Sequence, residues 1–194
     1  MEPTVAHGCD GALHSESPTQ ILSDEHRVIE RVLDALEGMT RRPVEGNLAR
    51  WQQALDFIRH FADQCHHIKE EKVLFPALEE HGIPSDGGPV GMMLIEHEEG
   101  RSYVRAMAAA MVLLEAKNSV ATESLFSSAR AYVRLLREHI QKEDEILFRM
   151  ADEVIPADKQ KTIVAAFAQH EVEEMGAGVH EKYLAIARQL ESLV

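Results

Sequence analysis

Apolar residues recur at steps of three and four from Ile21 onward, and no window shows the sustained alternation of a half-buried strand. An all-α fold follows. The first helix is predicted from about Thr19 to Gly38, with a core stripe of Leu22, His26, Ile29, Leu33 and Leu36, before a break at Thr40-Arg41-Arg42-Pro43. A second helix, about Glu45 to Glu80, stops at His81-Gly82-Ile83-Pro84. The third, Val90 to about Lys117, carries Val90, Met93, His97, Val104, Ala108 and Met111 on one face. Thr122 is placed to cap a fourth helix running to about Ile155, with Tyr132, Leu135, His139, Glu143, Ile146 and Met150 in line. Pro156 breaks the chain ahead of a fifth. The expected architecture is an up-down four-helix bundle over residues 19–155, a C-terminal helix (156–194) packed on its side, and a flexible tail (1–18).

Each of the first four helices places one histidine among its apolar residues: His26, His66, His97 and His139. A single core histidine usually means one satisfied hydrogen bond, but four near mid-helix meet at a common level in a bundle, and imidazole suits iron, copper or zinc. Two of them begin His-x-x-x-Glu pairs, His66 with Glu70 and His139 with Glu143, which project together from one helix face. A glutamate so placed is able to bridge two metals. The two segments also read as copies, HHIKEEKVLF over 66–75 and HIQKEDEILF over 139–148. His67 and Glu71 have the same spacing, and Phe57, Phe61, Ile68 and Phe75 draw the apolar face toward them, so periodicity alone does not choose. The repeat aligns His66 and Glu70 with His139 and Glu143, and that register is adopted.

With these residues in place the sequence resembles the hemerythrin-like (HHE cation-binding) domain family, whose order is His, His-x-x-x-Glu, His, His-x-x-x-Glu across four helices. Here it reads His26, His66-Glu70, His97, His139-Glu143, with DEH, HHIKEE-VLFP and IEHEEGR around it, over about residues 19–155. The resemblance implies two non-haem irons bridged by the glutamates and by an oxo or hydroxo group. It also exposes a departure. Oxygen-carrying members have a second histidine four residues after the third-helix ligand, where this chain has Arg101, which stays protonated and does not ligate. One metal then keeps an open position unless another residue fills it. His180, on a face with Tyr183, Leu184, Ala187 and Leu190, is the candidate, with a core histidine bonded to another helix as the alternative. Arg101 is expected to reach toward the metals or to pair with an acid such as Glu98. His170 with Glu174 lacks the flanking pattern and reads as a surface pair, and His7, His14, His60 and His81 read as solvated.

Composition narrows the function. The chain has 194 residues, 45% of them hydrophobic, and 20 basic against 33 acidic residues give a formal charge of -13. That charge repels phosphate backbones and anionic lipid, so neither nucleic acid nor membrane is expected as a partner. The N-terminus lacks a basic, apolar signal segment, and the longest apolar stretch, Ala106 to Leu114, falls short of the ~18 residues a span needs. A cytoplasmic location is expected. With only Cys9 and Cys65, a disulfide framework is not expected, and Cys65 reads as a small buried filler. An open iron position inside packed helices suits a small diatomic or peroxide ligand. The reading is thus a di-iron protein that binds or reduces oxygen, nitric oxide or hydrogen peroxide in stress protection or sensing. The alternatives are a non-catalytic iron module for sensing, storage or delivery to iron-sulfur repair, and a structural helical domain with zinc or no metal.

Overall fold

The structure is a computed structural model, and it describes residues 17–44, 46–118, 120–176 and 178–191. Cys9, His7, His14 and the side chain of Glu174 lie outside the described residues. Six helical stretches account for nearly all of it: α1 (Pro18–Met39), α2 (48–80), α3 (Pro89–Glu115), α4 (121–154), α5 (157–175) and α6 (Val179–Glu191). No strand occurs among the described residues. None of these helices is long and apolar enough to cross a membrane.

Local chemistry sets the helix ends. Ser17 caps α1, its Oγ accepting from the Gln20 amide at 3.1 Å, and Pro18 sits where a helix needs no amide donor. At the other end of α2, Gly82 takes φ 92°, and the amides of Gly82 and Ile83 turn back to Glu79 and Leu78, satisfying carbonyls that the helix leaves free. The α4 helix begins one residue before Thr122, which therefore is not its cap. Val120 holds the cap position without a side-chain cap, and its own amide donates to Asn118 Oδ1 at 3.2 Å. The segment expected as a single fifth helix is two, because Gly176 at φ 84° and Gly178 at φ 81° leave right-handed space between α5 and α6.

Two apolar clusters fill the interior. One contains Leu33, Leu36, Trp51, Phe57, Phe61, Met107 and Leu136; the other contains Leu22, Leu74, Leu78, Val90, Leu147 and Phe148. Between them every long helix crosses a polar layer. Chain order shows the sense of crossing: α1 and α3 pass from the second cluster to the first, α2 and α4 from the first to the second. The α5 helix adds Ile163 and Phe167 to the second cluster, and α6 adds Tyr183, Ala187 and Leu190 to the first.

Candidate metal centre

The polar layer is made of His26, His66, His67, Glu70, His97, His139 and Glu143, each no more than 4% exposed. Two sets of side chains within it converge closely enough to share an ion: His26, His66, Glu70 and Glu143, and His67, Glu70, His97 and His139. Glu70 belongs to both, with Oε1 at 3.6 Å from His66 Nε2 and Oε2 at 3.5 Å from His97 Nε2. Glu143 also faces both sets, its Oε2 lying 3.2 Å from His26 Nε2 and 3.2 Å from His139 Nε2. Each carboxylate thus spans the gap between the two histidine groups.

The presence of both His66 and His67 in the layer comes from the backbone. Residues Ile58–His67 and Glu70–Leu74 form wide turns with hydrogen bonds reaching five residues back, and α4 has one at Glu143–Leu147. Such turns are rare and concentrate at functional sites, because they rotate the following residues relative to a regular helix. His67 therefore stacks on His97, ring centroids 3.9 Å apart, while His66 meets His26 edge-on at 4.5 Å. Glu71 turns away from the layer and accepts from His97 Nδ1 at 2.8 Å.

That last contact is one of a ring. Glu25 of α1 holds His66 of α2 at 2.9 Å, Glu71 of α2 holds His97 of α3, Glu96 of α3 holds His139 of α4 at 3.0 Å, and Asp144 of α4 holds His26 of α1 at 2.9 Å. In every case the carboxylate takes Nδ1 and leaves Nε2 facing inward. Histidines that bind metals are commonly oriented in this way, since the outer acceptor fixes the tautomer and raises the basicity of the inner nitrogen. His67 stands outside the ring, with Nδ1 3.5 Å from Asp63.

What the layer lacks is a partner for its inner atoms. Among the described residues, the buried side-chain nitrogens and oxygens without a hydrogen bond are His26 Nε2, His66 Nε2, both His67 nitrogens, and all four oxygens of Glu70 and Glu143, together with Trp51 Nε1. Only the last lies outside the layer. The Nε2 atoms of His97 and His139 meet each other at 3.1 Å, where one alone is able to donate. Leaving this many buried polar groups unsatisfied is costly unless a cation accepts their lone pairs.

The charge states agree. Burial, reinforced by His97, pushes His67 down to about 3, and it drives His66 low as well, so both stay neutral donors of lone pairs. Burial also raises Glu70 well above the carboxylate range, with the charge of Glu143 adding to it. Glu143 is held low, against its own burial, by His139 and His26. Burial pulls His139 down, yet Glu143 and Glu96 outweigh it and lift the imidazole to about 9.

The chain matches the hemerythrin HHE cation binding domain over residues 17–151. It belongs to that family. Two similar proteins are the uncharacterized protein Rv1995 of Mycobacterium tuberculosis and the uncharacterized protein Mb2018 of Mycobacterium bovis, each 26% identical over 158 residues, or 80% of this chain and 61% of theirs. The hemerythrin-family chain thus spans about 61% of the length of these relatives. No solved structure matches it significantly.

Within this member of the family, His180 is not brought to the layer. Its Nδ1 lies 2.6 Å from Glu171 Oε1, in a separate group with Glu25 and Cys65. Lys69, 1% exposed, already supplies that group with a cation, pairing with Glu25 and reaching Glu171 at 3.4 Å. Cys65 Sγ lies 3.6 Å from Glu171, and burial together with the charge of Glu25 pushes its thiol up, away from reactivity. Arg101 bonds Asp63 at 2.8 Å and Glu71 at 2.7 Å, with Glu98 only at 4.0 Å. Sequence reasoning set His67 and His66 as alternatives and left out the ring of acids. The acids had a signal in the sequence: each is directly next to a residue of the layer, in the strings DEH, HHIKEE, IEHEE and EDE.

Proposed function

We propose that this chain is a hemerythrin-like di-iron protein built on an up-down four-helix bundle of α1 to α4, with α5 and α6 at its side. One iron would be held by His26 and His66, the other by His67, His97 and His139, with Glu70 and Glu143 shared. The observation that carries this is the convergence of unpartnered Nε2 and carboxylate oxygens in a layer whose outer nitrogens are held by acids. Donor chemistry supports iron, because imidazole with carboxylate suits it and no thiolate takes part. His67 answers the departure at Arg101, supplying a fifth imidazole from α2 where oxygen carriers have one from the third helix.

When bound, such a pair of irons supplies reversible binding or reduction of a small ligand such as oxygen, nitric oxide or hydrogen peroxide, in cytoplasmic stress protection or sensing. The protein's part is to exclude bulk water with two apolar clusters and to fix the imidazoles through the ring of acids. A second reading, iron sensing or storage, is favoured by the buried carboxylates: loss of metal leaves Glu70 and Glu143 without partners, so occupancy sets stability. Titration of the reduced, iron-loaded protein with nitric oxide and with peroxide tests the pair. Spectral change with consumption of ligand supports the first; inert spectra with a large metal-dependent shift in melting support the second.

A further inference from the structure

A cavity of about 190 Å³ lies between α2, α3 and α4, and His67 forms part of its wall. A cavity of about 150 Å³ is enough to take benzene, so this one suits a molecule of that size or slightly larger. Ile58, Val104 and Tyr132 make its apolar walls.

Three features point to an occupant. Gly100 sits buried in mid-α3, where glycine costs about 1 kcal/mol relative to alanine. A Cβ there would meet Leu136 at 3.5 Å, Tyr132 at 3.6 Å and Leu135 at 3.9 Å, all ordinary contacts, so helix packing does not demand the glycine. Its bare Cα leaves room in the cavity wall. Tyr132 is 2% exposed, and its hydroxyl has no hydrogen-bond partner among the described residues. Its oxygen is not fully enclosed by protein, and the hydroxyl is able to donate to an occupant of the cavity it lines. Lastly, three arginines line the cavity. Arg101 is committed to Asp63 and Glu71, and Arg105 to Glu98 at 2.8 Å, whereas exposed Arg59 has no acidic partner among the described residues. The formal charge of -13 disfavours anions at large, and Asp63 also lines the cavity, but Asp63 is paired with Arg101, so the Arg59 guanidinium is the local counter-charge for a small anion.

We propose that this cavity binds a small monocarboxylate with a compact apolar body, of benzoate's size. Arg59 takes the carboxylate, Ile58, Val104 and Tyr132 enclose the body, Tyr132 offers a donor, and the occupant lies against His67. The site stands on the chain's own residues, whatever metal the neighbouring layer holds.

Calorimetric titration of the full-length, iron-loaded protein with benzoate tests it. Saturable binding of one benzoate per chain is expected, weaker by about tenfold in Arg59→Gln, which loses a charge-assisted hydrogen bond. Gly100→Ala, which adds a methyl to the cavity and improves helix propensity, weakens it as well. Benzyl alcohol, with the same ring and no charge, binds less tightly than benzoate. No binding at millimolar benzoate overturns the proposal. So does either variant binding benzoate as tightly as the unmodified chain, as it would if benzoate reached the metals by another route. Iron content measured in the same samples keeps a failed cavity distinct from a failed metal centre.

Discussion

Asp144 Oδ1 lies 2.9 Å from His26 Nδ1, so an acid of the fourth long helix holds the histidine of the first and closes the ring of carboxylates around the layer. Asp144 is itself steadied by an ion pair with Arg27. Replacing it tests what the ring does. Asp144→Asn keeps the shape and removes the charge, so metal affinity measured by chelator competition is expected to fall about 10–100-fold while helix content stays the same. An unchanged affinity would reduce the ring to a packing device.

His67 gives a second prediction. If its imidazole stands in for the histidine missing at Arg101, His67→Ala loses iron as His66→Ala does, with each variant retaining the metal of the opposite set more firmly than its own. Iron per chain by elemental analysis reads this. Full iron content in His67→Ala would leave His67 as a wall of the cavity and nothing more.

A third concerns Lys69, which is 1% exposed and pairs with Glu25, itself 5% exposed. Removing one partner of a buried pair strands the other. Lys69→Met should therefore cost about 3–5 kcal/mol in denaturant unfolding, and adding Glu25→Gln should recover much of it. A loss below about 1 kcal/mol would show that water screens the pair as it does at a surface.

The fourth is a pH dependence at the α5 to α6 junction. The His180 hydrogen bond holds Glu171 down, to about 2 from an ordinary 4.5, so its contribution is present above pH 4.5 and is lost as pH falls toward 2. The same bond raises His180, whose contribution is complete below pH 6.5 and is lost as pH rises through the raised value. Both groups are about one-third exposed, which limits the effect to about 1 kcal/mol. Glu171→Gln is expected to flatten both limbs of the stability profile of the protein; a profile that keeps the alkaline limb would point to another group.

Much of this was legible in the sequence, and for physical reasons. Helix limits followed from Ser17-Pro18, from Gly82-Ile83-Pro84 and from Pro156, because caps and breakers act locally. His26, His66, Glu70, His97, His139 and Glu143 were legible as one group because the repeat at 66–75 and 139–148 reports two equivalent levels of one layer. The inclusion of His67 was not, since a pattern read at a regular helical period places His66 and His67 on different faces, and the wide turns that bring both inward have no composition of their own. The place of His180 was hidden similarly: its company is set by the Gly176 break and by Lys69, a buried cation that reads in sequence as a surface residue.

Counting the irons in the buried layer tests a shared di-iron centre most directly. Full-length protein loaded with ferrous iron without oxygen, freed of excess metal and then exposed to air should hold two irons per chain and gain near-ultraviolet absorption from a bridged ferric pair. Glu70→Gln and Glu143→Gln, each removing a carboxylate that faces both sets, should abolish that absorption. Saturation at one iron per chain, or two irons with the same spectrum in both glutamine variants, would contradict a shared di-iron centre.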